Sequence, residues 1–438
     1  MRSVRFVTFG CKANQYDTQV LREALLRRGM TEEQAEADLL VVNTCTVTAE
    51  AGRKARQLIR RVVREAPGTA VCVTGCLAES EPDVLRELPG VQWVLGNGEA
   101  KRPVQFLREL GHDIDPEELG IPSGITEFQG HTRAFLKIQD GCDQACSFCI
   151  IPSVRGRSKS RPLPELQAEV TRLVQAGHVE VVLCGIHIGH WGRDLGLGLP
   201  DLLAGLAGLE VPGPDGAPMP WRMRLSSIEA TEVCEGTLEW MAARPDRIAP
   251  HLHMPLQSGS GEVLRRMNRW YGPEEYLAAC ERIRAVLPKP ALSADILVGF
   301  PGETEQHFQE SLETCRAAGF CRLHVFPFSA RPGTPAYEMA DPVDPQDIRD
   351  RRMRLSEWAA QGAQDYLRSL EGLEEWVVLE GFAGLAGRYQ RVQIDPAWIE
   401  GPPPAALRVR LQVREQEVRR GGEIQRKASL WGLPEVLA

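Results

Sequence analysis

Between residues 134 and 329 one short pattern recurs six times. It is a strand-like run, then a loop carrying Gly, Ser, Pro or polar residues, then a helical stretch. The runs fall at residues 134–138, 179–183, 222–226, 251–254, 293–298 and 322–326. A helix between two strands carries the chain back along the sheet, so strands joined this way lie parallel. A full β/α barrel takes eight such units, with its chemistry in the loops at the C-terminal face. Six units predict a partial barrel, open on one side and wide enough to admit a macromolecule.

The first of those loops reads Gly141-Cys142-Asp143-Gln144-Ala145-Cys146-Ser147-Phe148-Cys149. Three cysteines at spacings of four and three can converge on one centre. A closed structural zinc site wants a fourth protein ligand, usually from a second paired motif, and none follows. A 4Fe-4S cluster on three thiolates instead keeps one iron open to bind something else. Three packed, unrelated cysteines are the plain alternative, since free Cys is among the most buried residue types.

The N-terminal third alternates in the same way, with strands at 4–9, 39–43 and 70–74 and helices over 15–28, 51–64 and 82–88. This predicts a Rossmann-like parallel α/β domain. Cys11, Cys45 and Cys76 each follow a strand, at the carboxyl ends where open α/β sheets place their ligands. Three thiolates there predict a second cluster with an unprotected iron. Cys72 lies inside its strand and reads as packed. The basic helix with Arg53, Lys54, Arg56, Arg60, Arg61 and Arg64 reads as a solvated face rather than a phosphate contact.

Residues 101–129 lose periodicity, carry Pro116 and Pro122, and read as a link. Beyond residue 374 short runs at 376–379, 389–394 and 407–413 predict a small β domain. Arg388, Arg391, Arg408, Arg410 and Arg414 lie on or beside those runs, as an RNA-binding surface or as the polar face of a half-buried sheet. The expected organisation is α/β, with domains at 1–105, 128–360 and 374–438.

The 438 residues contain no apolar run of the ~18 needed to span a membrane and no signal-peptide pattern. A cytoplasmic location is expected, so the 12 cysteines are read as metal ligands or buried thiols rather than disulfides. The net charge of −8 does not point to nucleic acid, although a local basic patch is enough to bind it.

With Phe148, the central loop is Cys-x3-Cys-x-aromatic-Cys, which resembles the signature of radical S-adenosylmethionine (SAM) enzymes. Other stretches extend the likeness. They are Gly10-Cys11-Lys12-Ala13-Asn14-Gln15, Asn43-Thr44-Cys45-Thr46-Val47-Thr48, Val73-Thr74-Gly75-Cys76, Gly185-Ile186-His187-Ile188-Gly189, Leu225-Ser226-Ser227-Ile228-Glu229, Pro255-Leu256-Gln257-Ser258-Gly259-Ser260 and Gly299-Phe300-Pro301-Gly302-Glu303-Thr304. The chain resembles the radical SAM methylthiotransferases over nearly its full length. Residues 10–15 make it most similar to the MtaB-type branch, which modifies threonylcarbamoyladenosine at position 37 of tRNA. Branches acting on isopentenyladenosine tRNA or a ribosomal-protein aspartate tend to differ there.

The resemblance implies two 4Fe-4S clusters, one on Cys142, Cys146 and Cys149 and an auxiliary one on Cys11, Cys45 and Cys76. It implies SAM as cofactor, the tRNA anticodon loop as partner, an electron donor such as flavodoxin or ferredoxin, and no membrane partner. One SAM would methylate a sulfur at the auxiliary cluster, and a second would yield a 5′-deoxyadenosyl radical. It also implies a C-terminal RNA-binding TRAM domain, although this segment lacks several of the usual glycine-centred turns. Cys184 stands where relatives commonly have threonine.

On this reading Gly185 and Gly299 let backbone approach SAM, because glycine has no Cβ. Ser227, Glu229 and Gln257 would bind the SAM ribose, its methionine portion or the substrate base. Arg155 and Arg161 would pair with the SAM carboxylate or an RNA phosphate. His187, His253 and His324 read as structural. Readings of a different class are an iron–sulfur carrier and a zinc-holding RNA scaffold, neither with SAM chemistry.

Overall fold

The computed structural model describes residues 1–46, 49–98, 102–114, 122–399, 401–420 and 423–434. Val47 and Thr48 of the second matched stretch, part of the 101–129 link and the last four residues lie outside the described residues.

The N-terminal strands are β1 (Ser3–Thr8), β2 (Thr31–Glu32), β3 (Leu39–Thr44), β4 (Ala70–Gly75) and β5 (Val91–Leu95). They form one parallel sheet in the order β2-β1-β3-β4-β5. Every residue of β3 and β4 is buried, as continuous apolar strands must be when both faces are covered. Helix α1 (Lys12–Arg27) covers one face, with Leu21, Ala24 and Leu25 against Val4, Leu39 and Val41. Helix α2 (Ala49–Glu65) covers the other, with Leu58, Ile59 and Val62 against Leu40, Val42 and Val71. Strands β2 and β5 extend the three expected ones. The first has two residues, too few to show a period, and the second is a half-buried edge.

The six expected strands of the larger unit form and run parallel, as β6 (Arg133–Asp140), β8 (Glu180–Gly185), β9 (Arg222–Leu225), β10 (His251–His253), β11 (Ala291–Val298) and β12 (Arg322–Pro327). An antiparallel edge, β7 (Lys159–Ser160), is added beside β6. Two sheets, β7-β6-β8-β9 and β10-β11-β12, are joined by single parallel bridges Met223↔Ile248 and Ser227↔His253. The result is a partial barrel. Leu136, Ile138, Val181, Leu183, Met223, Leu225 and Leu252 pack outward with Leu166, Leu173 and Leu202 of the covering helices. Alternation along each strand turns the other set inward, and beside apolar Val182 and Cys184 that set carries many polar and charged residues. It includes Lys137, Glu180, Arg224, His253, Asp295 and His324, so the lumen is not filled by aliphatic layers.

The C-terminal strands β13 (Glu374–Glu380), β14 (Ala383–Ala386), β15 (Arg391–Ile394), β16 (Ala406–Arg420) and β17 (Glu423–Pro434) close a small barrel in the order β13-β14-β15-β17-β16. Val377, Leu379, Val392, Val409, Leu411 and Leu430 fill it. The strand expected from residue 389 starts at Arg391 instead. Tyr389 is left-handed at φ 59° and stacks on His251, with ring centroids 4.5 Å apart. It leaves the sheet because it plugs the larger barrel. Arg224 beside it hydrogen-bonds Glu180 at 2.9 Å and the Gly387 carbonyl at 2.8 Å, and Arg222 reaches the Leu385 carbonyl at 3.0 Å. Burial would raise the Glu180 pKa, but the two guanidiniums hold it well below the usual carboxylate range. These contacts sit at the N-terminal floor, so the small barrel stoppers the end away from the strand-end loops. A cavity of 680 Å³ at that junction includes Trp221, Arg247 and Trp376 in its lining. Among the described residues no helix is long and apolar enough to cross a membrane.

Candidate metal centres

Cys11 opens α1 directly after β1, Cys45 follows β3, and Cys76 follows β4 at the start of a short helix, Cys76–Ser80. The turn before Cys76 requires glycine. Gly75 has φ 96°, and a Cβ there would lie 2.3 Å from Asn43 Oδ1 and 2.4 Å from the Thr44 carbonyl. Asn14 gathers the strand ends by donating to the carbonyls of Phe9 and Thr44, both at 2.9 Å. Its Oδ1 lies 4.0 Å from Cys76 Sγ. A Cβ on Gly10, next to Cys11, would lie 2.9 Å from Cys45 Sγ. The structure thus brings Cys11, Cys45 and Cys76 together around Asn14.

The central loop is fixed by backbone on both sides. Cys142 N donates to the Gly156 carbonyl at 3.0 Å, Ser147 N to Met267 at 3.0 Å, and Ala336 N to Ser147 at 2.7 Å. Phe148 seats the loop among Met267, Phe300 and Ala336, with its ring edge-on to Phe300. Each sulfur meets a hydrogen-bonding group. Cys142 Sγ lies 3.3 Å from His187 Nδ1, Cys146 Sγ accepts from Arg269 Nη1 at 3.3 Å, and Cys149 has the Ile151 backbone N–H. Burial pushes the Cys149 thiol up to about 11. Burial also raises Cys146, against the pull of Arg269. A metal binding there would have to displace the thiol protons.

Arg155 sits between the auxiliary triad and the start of the central loop, and its position corrects the expectation of a SAM or phosphate contact. Its side chain is 1% exposed. It donates to Asp140 at 2.8 and 3.0 Å, to Asp17 at 3.3 Å, to Asn14, and to Cys76 Sγ at 3.3 Å. Arg161 is likewise committed elsewhere, 2.7 Å from buried Glu169 and 2.9 Å from Tyr16 Oη. Turning either arginine out to a phosphate would strip a cation from buried Glu169 or from the Asp17–Asp140 pair, which Lys137 alone would then serve. The basic helix α2 behaves as a solvated face, with Arg53 and Lys54 on Glu50 and Arg56 on Glu81.

Other expected residues divide. Glu229 pairs with Arg269, so its carboxylate supports a cysteine contact rather than standing open. Gly185 is required by its neighbour strand, since a Cβ would meet the Gln139 carbonyl at 2.3 Å. Gly299 is left-handed and faces Ile348, not open space. Ser227 is exposed just past β9, and Gln257 is half-buried with φ 64° beside β11. These two remain available at the mouth. Sequence reasoning missed Arg269, in a loop, and Glu232, in the single 3-10 turn Ala230–Glu232, neither with a recognisable spacing, and read His187 as structural.

The arrangement fits polynuclear centres better than single ions. Among the described residues, the one group of three possible ligands within 4.8 Å of each other is His187, His190 and Glu232. Neither cysteine triad is that tight, whereas thiolates about one zinc stand about 3.8 Å apart at a Zn–S distance of about 2.3 Å. An iron–sulfur cube between the sulfurs needs the wider setting.

Residues 3–96 match the uncharacterized protein family UPF0004, and residues 136–315 match the Radical SAM superfamily. The chain is 38% identical to a Bacillus subtilis protein named threonylcarbamoyladenosine tRNA methylthiotransferase MtaB, across 85% of this chain and 83% of that one. It is 35% identical to the protein of that name from Thermotoga maritima, across 87% and 88%. A tRNA-2-methylthio-N(6)-dimethylallyladenosine synthase from Cereibacter sphaeroides is 34% identical, across 88% and 89%. Among solved structures, a radical SAM methyltransferase from Kitasatospora setae, TsrM, superposes with a TM-score of 0.57 at 16% identity, across 77% and 75%, which is likeness of fold alone.

Proposed function

The chain belongs to the radical SAM tRNA methylthiotransferases, and from that premise we propose that it places a methylthio group on carbon 2 of threonylcarbamoyladenosine at position 37 of tRNA. Carbon 2 of adenine bears a C–H bond with no leaving group and little acidity, so acid–base chemistry does not functionalise it. When bound, the two clusters and SAM would supply the methylthio group that takes the place of that hydrogen and the radical that enables its removal. Cys142, Cys146 and Cys149 would hold the SAM-binding cluster, and Cys11, Cys45 and Cys76 the auxiliary one. Arg155 joins Cys76 of the auxiliary triad to Asp140, two residues before Cys142. Ser227 and Gln257 would hold SAM or the base at the mouth.

The observation that carries the substrate choice is Lys12. It follows Cys11, is half-buried, and makes no ion pair among the described residues. Burial lowers the His324 pKa, and against Asp295 the charges of Arg322, His253 and Lys12 add smaller pushes the same way, so Lys12 lies within electrostatic range of the polar lumen. There His253 Nε2 stands 3.3 Å from Asp295, and His324 packs edge-on to His253. A lumen of this kind suits the anionic threonylcarbamoyl substituent. An isopentenyl group would leave the same polar atoms unpaired, which costs about 1–3 kcal/mol per buried group. Arg157 and Lys159 border an 810 Å³ cavity that Arg155 also lines, and among the described residues neither makes an ion pair. We assign them to RNA phosphates, and a flavodoxin or ferredoxin to the supply of electrons.

The test is Lys12→Met beside wild type on tRNA bearing threonylcarbamoyladenosine, with SAM and reductant. KM should rise at least about tenfold, matching about 1.4 kcal/mol for a lost charged contact, while deoxyadenosine formation without tRNA stays unchanged. An unchanged KM would remove Lys12 from substrate reading.

A further inference from the structure

His187, Glu232, Arg269 and Glu229 form two matching devices on either side of the central loop. His187 Nδ1 lies 3.3 Å from Cys142 Sγ, and its Nε2 lies 2.7 Å from Glu232 Oε1. A ligating thiolate and a carboxylate are both acceptors, so the ring between them is satisfied only by donating from both nitrogens, as an imidazolium. It is clamped in place. His190 stacks on it at 3.7 Å and also reaches Glu232 at 3.0 Å, and Trp270 covers it at 5.7 Å. Arg269 repeats the scheme, donating to Cys146 Sγ at 3.3 Å while held by Glu229. Its guanidinium lies 4.3 Å from the Trp270 ring and 4.8 Å from the Tyr271 ring.

A single metal ion among His187, His190 and Glu232 is the competing use of these side chains. Arg193 stands 3.8 Å from the same Glu232 oxygen and adds a positive charge where a cation would sit. Both histidine nitrogens are already at hydrogen-bonding distance from that oxygen.

We propose that His187 and Arg269, each fixed by its own carboxylate, are positioning residues that set the reduction potential of the cluster on Cys142, Cys146 and Cys149. Reduction adds negative charge to that cluster, and a cation donating to a ligand sulfur stabilises the reduced form more than the oxidised one. Hydrogen bonds to ligands tune metal centres in this way. Both cations therefore raise the potential, and losing either lowers it. The inference rests on the cluster assignment and not on the choice of tRNA nucleoside, so its test contains no tRNA.

The experiment is a redox titration of the anaerobically reconstituted full-length enzyme, followed by electron paramagnetic resonance. The central cluster is recognised as the signal that changes when SAM is added. His187→Phe and Arg269→Met should each reduce the reduced-to-oxidised ratio at a fixed poise about tenfold, a negative midpoint shift of about 59 mV for one electron. Arg269→Lys, which keeps the charge, should return close to wild type, and His187→Gln, a neutral donor, should fall between. Wild-type midpoints in both Phe and Met variants at full iron content would overturn the proposal. If His187→Phe loses iron, the Met and Lys variants of Arg269 decide, since equal midpoints for those two would also overturn it.

Discussion

Replacing Arg155 by methionine keeps the aliphatic stem and removes one of the charges that join the N-terminal sheet unit to the barrel. In the native protein Arg155 and Lys137 face Asp17 and Asp140, two cations against two anions, with Lys137 bonded to both carboxylates. Methionine leaves one half-buried lysine to serve two carboxylates. Removing one partner of a buried ionic set costs about 3–5 kcal/mol, because the charges left behind are uncompensated. Asp17 and Asn14 lie on α1, so that helix should feel the loss first. Hydrogen exchange reads the opening of α1 directly, and 3 kcal/mol corresponds to roughly a hundredfold loss of protection. Arg155→Lys keeps the charge but not the fork that reaches Asp140, Asn14 and Cys76 together, and should lie between. Protection in α1 within threefold of wild type for Arg155→Met would refute this ion-set account.

Further outcomes follow from the two centres and the exposed cations. Reconstituted enzyme should carry about eight irons, falling to about four when Cys142, Cys146 and Cys149 become alanine, and again to about four when Cys11, Cys45 and Cys76 do. Metal analysis checks this, and full iron in the second triple variant would remove the auxiliary site. Cys76→Ala should still cleave SAM without delivering methylthio, whereas Cys149→Ala should lose cleavage, both read by chromatography of deoxyadenosine. Arg157→Ala with Lys159→Ala should lower the slope of log tRNA affinity against log salt by about two. The same double change at Arg408 and Arg410, exposed on β16, tests the C-terminal face, and an unchanged slope there would free that face from an RNA role.

Much of this architecture was legible because it rests on periodicity and on rigid turns. Continuous apolar runs such as Leu39–Val42 and Ala70–Val73 announced strands buried on both faces, and the cysteine after each strand marked one edge of the sheet. What stayed hidden depends on partners far apart in sequence. Arg155 looked free beside the central loop, yet its partners Asp17 and Asn14 arrive from about 140 residues earlier. Tyr389 read as strand because its neighbours alternate, and only the docking of two barrels explains its left-handed backbone. Glu229 sat in a recognisable stretch, but its ion pair with Arg269 spans 40 residues and leaves no local pattern.

The substrate assignment is tested most directly by mass spectrometry of nucleosides. The enzyme would be incubated side by side, with SAM and reductant, on threonylcarbamoyladenosine tRNA, isopentenyladenosine tRNA and ribosomal protein, and the products digested. The predicted result is the methylthio mass increment on threonylcarbamoyladenosine, with little or none on the other two. An increment found only on isopentenyladenosine would contradict the reading of the Lys12 lumen as an anion-binding chamber while leaving the family in place.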